Sequence, residues 1–150
     1  MSRRTIIFLV ILIISPVIIY LLWPSDESRI KKLFREGAAA IEQEKIDEVM
    51  AKVSFNYLDE KGLTYLFIKE GMTRLFQNMD NIKIEYEIIR IGITEKTATA
   101  ELDIRVLATH GNDTGYIAGD LAKPFHLKFS LEKERTTWLV TKTEGLPLNF

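Results

Sequence analysis

Ile82-Lys83-Ile84-Glu85-Tyr86-Glu87-Ile88 alternates apolar and charged side chains without a break. A period of two puts Ile82, Ile84, Tyr86 and Ile88 on one face of a strand and Lys83, Glu85 and Glu87 on the other. Downstream the pattern repeats over a greater length, with Ala98, Ala100, Leu102, Ile104 and Val106 set against Thr97, Thr99, Glu101, Asp103 and Arg105. The linker Gly92-Ile93-Thr94-Glu95-Lys96 is hairpin-sized. A loop from His110 to Gly115 leads past Tyr116 to a third strand, in which Phe125, Leu127, Phe129 and Leu131 share a face. A polar turn, Glu132-Lys133-Glu134-Arg135, precedes a fourth from Thr136 to Thr143 that carries Trp138, Leu139 and Val140. Four antiparallel strands with one apolar face need a cover on that face.

The cover lies upstream, where the period changes to that of a helix. Behind Ser25, a suitable N-cap, Ile30, Leu33, Phe34, Ala38 and Ile41 recur at helical spacing. Asp26 and Glu27 stand in the first turn, where the helix dipole favours acids. Ile46, Val49, Met50 and Val53 form a second, shorter stripe, and Tyr65, Ile68, Met72, Leu75, Phe76 and Met79 form a third. Between these last two, Ser54 to Gly62 has no helical period and ends in a turn-like Lys61-Gly62. The fold class is α+β, with three helices packed on a curved, mostly antiparallel four-stranded sheet.

The order of these elements resembles the nuclear transport factor 2-like superfamily, also called the SnoaL-like or cystatin-like cone fold. The opening of the domain carries most of the likeness. A first helix with Ala38-Ala39-Ala40 runs into Glu42 to Met50, and then comes Ser54-Phe55-Asn56-Tyr57-Leu58-Asp59, an S-x-x-Y-x-D stretch, before Gly62. The resemblance spans roughly Ser25 to Gly145 and implies a conical pocket between helices and sheet. It does not nominate an activity, because the superfamily includes isomerases, dehydratases, polyketide cyclases and transport factors.

Ahead of this domain, Arg3 and Arg4 precede a run from Thr5 to Trp23 without one charged side chain. As a helix it would rise about 28 Å, close to the hydrocarbon thickness of a bilayer. The run exceeds the about 7–15 apolar residues of a cleaved secretory signal, and bulky Tyr20, Leu21, Leu22 and Trp23 make a poor cleavage site. A chain with no cysteine cannot carry a lipoprotein signal. Residues 1–24 are expected to be a short cytoplasmic tail and a signal-anchor helix, and residues 25–150 one domain on the periplasmic or outer side. That orientation follows from retention of positive charge in the cytoplasm.

Composition narrows the partners. Without Arg3 and Arg4, 18 basic residues face 21 acidic ones, a net charge of −3 that gives nucleic acid no basic footprint. No metal site is expected: His110 and His126 could join Asp113 or Asp120 but lack a ligand spacing. There is no G-x-S-x-G, no phosphate-binding glycine loop and no cofactor motif, and no catalytic residue is assigned. By strand parity Glu85, Glu87, Glu101 and Asp103 point away from the pocket, which leaves no inward carboxylate for isomerase chemistry.

Two function classes remain. In the first, the protein is a non-catalytic interaction or assembly module that meets itself or a membrane or periplasmic protein through Glu101, Asp103 and Arg105 on the polar sheet face. In the second, a small-molecule binder or an isomerase- or cyclase-like enzyme uses the cone pocket, with Tyr57, Tyr86 and Trp138 as lining candidates. Tyr57 packed under the helices and Asp59 capping a turn is the plainer account of that pair.

Overall fold

The computed structural model describes residues 3–146, so the last four residues of the 25–150 domain and the first two of the tail lie outside the described residues. Helix α1 (Arg3–Leu22) contains Pro16 and no buried residue. It is long and apolar enough to cross a membrane. It stops one residue short of the apolar run, at the bend formed by Trp23 before Pro24, since proline disfavours helix in the residue ahead of it.

Helix α2 (Asp26–Glu42) starts immediately after. Its N-cap Ser25 accepts a hydrogen bond from the Ser28 N–H at 3.2 Å, which satisfies one of the first-turn donors. Ile30, Leu33, Phe34 and Ala40 are its buried residues, the stripe that the spacing predicts. A single turn, α3 (Ile46–Met50), is separate from α2. Helix α4 (Tyr65–Asn78) has a marked apolar side yet not one buried residue.

The sheet contains β1 (Asp80–Thr94), β2 (Thr97–His110), β3 (Asp113–Ala118), β4 (Phe125–Glu134) and β5 (Thr137–Glu144), in the order β1-β2-β4-β5 with β3 also on β2. The four-stranded path is the expected one; β3 is added where a loop was expected. Its place follows from β2's length. β4 pairs with Thr97 to Ile104 only, and β3 takes the rest of that edge, Val106 to His110. Gly119 carries the chain from β3 to β4 at φ +67°, and a Cβ there would stand 2.8 Å from the Ile104 carbonyl oxygen. Only glycine fits this crossing.

The β1–β2 hairpin is tighter than the sequence suggested, with only Glu95 and Lys96 outside the strands. Ile89 has no partner across the register step between Ile88 and Arg90. This bulge leaves Ile89 exposed and returns Ile91 to the inner face. A second step leaves Thr141 extra on β5, and its carbonyl accepts the Leu58 N–H at 3.1 Å. Ser54 N–H donates to Val140 O, and Val140 N–H to Lys52 O, both at 2.9 Å. The irregular stretch after α3 thus covers the β5 edge, which would otherwise offer unpaired backbone groups.

The core lies between the first half of α2 and the sheet, and includes Ile30, Phe34, Tyr57, Leu102, Leu131 and Trp138. Ile30 is fully buried, and burying such a side chain stabilises by about 1.5–3 kcal/mol. Around the start of α2, Asp26 accepts hydrogen bonds from Lys133 Nζ at 2.8 Å and Trp138 Nε1 at 3.0 Å. The Lys133 bond, then the Trp138 bond, hold the Asp26 carboxyl below its ordinary value. Arg29 adds a bond to the Thr136 carbonyl at 3.2 Å, and its guanidinium stacks over the Trp23 ring at 5.6 Å.

Candidate functional site

Past the middle of α2 the core opens into a cavity of about 320 Å³. Its walls follow from the alternation already described: Ile84 and Tyr86 of β1, Ile104 of β2 and Phe129 of β4 all project inward and line it. The Phe34 and Phe129 rings meet at 5.1 Å and close the end next to the packed core. The roof is α4, which contributes Phe67, Ile68 and Met72. Gly37 of α2 and Gly71 of α4 also line the cavity, and a Cβ on either would meet nothing within 4 Å. The space is thus open partly because two helix positions carry no side chain.

Its chemistry is narrow. Among the described residues, no Asp, Glu or His lines the cavity, and the polar side chains that do are Lys52, Tyr57, Tyr86 and Thr143. The Lys52 ammonium is held by Glu36 at 2.5 Å, and this hydrogen bond lowers the Glu36 pKa. Tyr57 is only 4% exposed, and its hydroxyl has no hydrogen-bond partner among the described residues. Burial, with the nearby Asp59 carboxylate adding to it, pushes the phenol pKa above its ordinary value. Thr143 lies alongside and offsets part of that rise, without reaching hydrogen-bonding geometry.

Asp59 is also buried. Its Oδ1 accepts the N–H groups of Lys61 and Leu63, each at 2.9 Å, and so caps the turn that Gly62 completes at φ +78°. Its Oδ2 is buried without a partner.

The sequence-derived residues divide between the cavity and other parts of the domain. Tyr57 and Tyr86 both line the cavity. Trp138 does not: it belongs to the packed end and donates to Asp26. Glu101, Asp103 and Arg105 lie together on the outer sheet face, and each has a partner within the chain. Arg90 approaches Glu101 at 3.4 Å, His126 Nδ1 donates to Asp103 at 2.7 Å, and Arg105 Nε donates to the Asp120 carbonyl at 2.7 Å. His110 instead donates to the Asn78 carbonyl at 2.8 Å, which separates the two histidines. Gly37, Gly71 and Thr143 were not singled out from the sequence. A glycine inside a helical stripe, unfavourable there by itself, is the signal that could have marked the first two.

No protein-family profile matches the chain, and no curated protein does. Solved structures do match. A conserved protein from Planctomyces limnophilus superposes with a TM-score of 0.68 at 13% identity, over 79% of this chain and 92% of that one. A ketosteroid isomerase-like protein from Erwinia carotovora atroseptica gives 0.61 at 14% identity, over 77% and 91%. An NTF-2 like protein of unknown function from Shewanella oneidensis gives 0.59 at 13% identity, over 79% and 97%. The domain has the nuclear transport factor 2-like cone fold. At these identities the likeness is one of fold, and the cone fold hosts many chemistries.

Proposed function

We propose that this chain is a non-catalytic binding module, tethered by α1 in the cytoplasmic membrane with its cone domain on the periplasmic or outer side, and that the cavity holds an apolar small molecule. One observation carries the reading. The space is lined almost wholly by hydrocarbon and aromatic side chains, with no carboxylate or imidazole among the described residues to move a proton. An isomerase or cyclase would need such a group within reach of its substrate, so the binder is favoured over the enzyme. The outer sheet face is the weaker alternative as a contact surface for a second copy or a membrane or periplasmic protein. Glu101, Asp103 and Arg105 are already engaged with Arg90, His126 and Asp120, and a partner would have to displace those contacts.

The test is extraction of full-length protein in lipid nanodiscs, followed by mass spectrometry of the extract. Wild-type protein should release an apolar compound near one per chain. The cavity-filling variant Gly71→Leu should fold and release far less. Equal release from both would refute the cavity as the binding site.

A further inference from the structure

Phe55 is 82% exposed and Leu66 73%, although both are large and apolar. They are neighbours: the Phe55 ring packs on the Tyr65 ring at 4.6 Å, and Leu66 follows Tyr65 at the start of α4. Single exposed apolar residues are ordinary, whereas a cluster of them marks a surface that meets something. The place of this cluster says what. The Ser54 hydroxyl donates to Glu134, which sets Phe55 beside the tip of the β4–β5 hairpin. The same tip receives Arg29 at the Thr136 carbonyl, and Arg29 in turn stacks over Trp23. Phe55 and the exit of α1 thus share one end of the domain. We propose that this end docks on the lipid bilayer beside α1, with Phe55 and Leu66 inserted into its interfacial layer. The proposal rests on the reading of α1 as a membrane tether and adds the face on which the domain lies.

The linker leaves this end little freedom. Only Trp23, Pro24 and Ser25 separate α1 from α2. Four peptide steps from Leu22 to Asp26 reach at most about 14 Å, so the hairpin tip tied to α2 stays close to the headgroups while α1 spans. A phenyl ring and a leucine side chain held there leave water on insertion without burying a polar group, and aromatic rings favour that layer. The charges agree. Asp26 and Glu27 are paired with Lys133 and Lys31, and Glu134 is engaged by Ser54. Arg135 is exposed at the tip, has no ion-pair partner among the described residues and can reach lipid phosphate. The β1–β2 tip lies alongside, since the Lys133 N–H donates to the Lys96 carbonyl at 2.8 Å. There Glu95 offsets the neighbouring Lys96 charge. Apolar insertion therefore carries the docking, and neutral lipid suffices.

The experiment uses full-length protein in phosphatidylcholine nanodiscs. Single cysteines, each unique in this cysteine-free chain, carry a spin label in Ile13→Cys, Phe55→Cys, Leu66→Cys and Glu87→Cys, the last on the outer sheet face. Collisions with oxygen, which concentrates in lipid, are compared with those of a water-soluble nickel complex. The oxygen-to-nickel ratio should be severalfold higher at positions 55 and 66 than at position 87, and highest at position 13. Ratios at 55 and 66 equal to that at 87 overturn the docking. Shielding of both positions from both reagents overturns it as well, because protein and not lipid would then cover the patch. A ratio at position 13 as low as at 87 refutes the tether itself, so the two failures are told apart. Should a labelled variant not fold, a phospholipid with a photoactivatable group near its glycerol decides on the unmodified chain. It should label the peptides containing Phe55 and Leu66 severalfold more than the peptide containing Glu87, and equal labelling overturns the proposal.

Discussion

Tyr57 and Asp59, two residues apart in an irregular stretch, are the buried polar side chains beneath the cavity with an unpartnered oxygen. Their effects on stability should differ in kind. The phenol's pKa is raised on folding, so the unfolded chain loses its proton first as pH rises. The stability that the neutral phenol contributes is complete below its unfolded pKa of about 10 and is lost as pH rises through the higher folded value. Tyr57→Phe has no such proton to lose. Its melting temperature should fall less than wild type's between neutral pH and the alkaline range, and parallel alkaline slopes would contradict the burial of that hydroxyl. Asp59 acts through geometry. Its Oδ1 receives two backbone N–H groups, and Asp59→Ala should cost about 1–2 kcal/mol by leaving those donors without their acceptor. Asp59→Asn keeps the accepting oxygen and should cost less than half as much by chemical denaturation.

Among the elements, α4 is the least committed. One side of it is apolar, yet no residue is buried, because much of that side faces the cavity while only Tyr65 and Ile68 also pack against the core. Gly71 sits within it with open space where a Cβ would go. Gly71→Ala should therefore raise stability by about 0.5–1 kcal/mol through helix propensity alone, read as an increase in denaturant midpoint. A loss would mean that the backbone at Gly71 makes a contact that alanine obstructs. The same helix marks how far the pattern of residues could be followed. The period of Tyr65, Ile68, Met72 and Leu75 tells which side of the helix is apolar; it cannot tell whether the facing side chains reach across and fill the space between. In β1 and β2 the alternation was enough to place the inner and outer faces, since strand parity is local. It was not enough for β3, Asp113-Thr114-Gly115-Tyr116-Ile117-Ala118, which has no alternation of its own and pairs because β4 leaves the far half of β2 free. Trp138 shows a related limit. Parity correctly turned it inward, but its position along the cone, at Asp26 and away from the cavity, depends on tertiary register.

At the scale of the whole molecule, the chain enters its domain at the well-packed end. The first turn of α2 is tied to the β4–β5 hairpin by Asp26, Lys133 and Trp138, whereas the cavity lies along the later part of α2, at Gly37 and Ala38. Asp26→Ala should destabilise by roughly 1–3 kcal/mol, mostly because the buried Trp138 N–H would lose its acceptor; thermal melting would register the loss, and an unchanged midpoint would refute the clamp. Nothing in the clamp determines which side of a membrane the domain occupies. That rests on Arg3 and Arg4 ahead of an uncharged helix, against Asp26 and Glu27 behind it. The absence of cysteine makes the orientation directly measurable, because one introduced thiol is the only thiol in the chain. Glu87 is exposed on the outer sheet face and paired across the ladder only through its backbone register with Asp103. Glu87→Cys should therefore leave the fold unchanged and react in intact cells with a maleimide that cannot cross the inner membrane. Under the proposed orientation, reversing the flanking charge with Arg3→Glu and Arg4→Glu should reduce that labelling, because the positive charge on which that orientation rests would be gone. Protection of the wild-type topology reporter, with labelling only after the membrane is opened, would place the domain in the cytoplasm and overturn the proposed orientation.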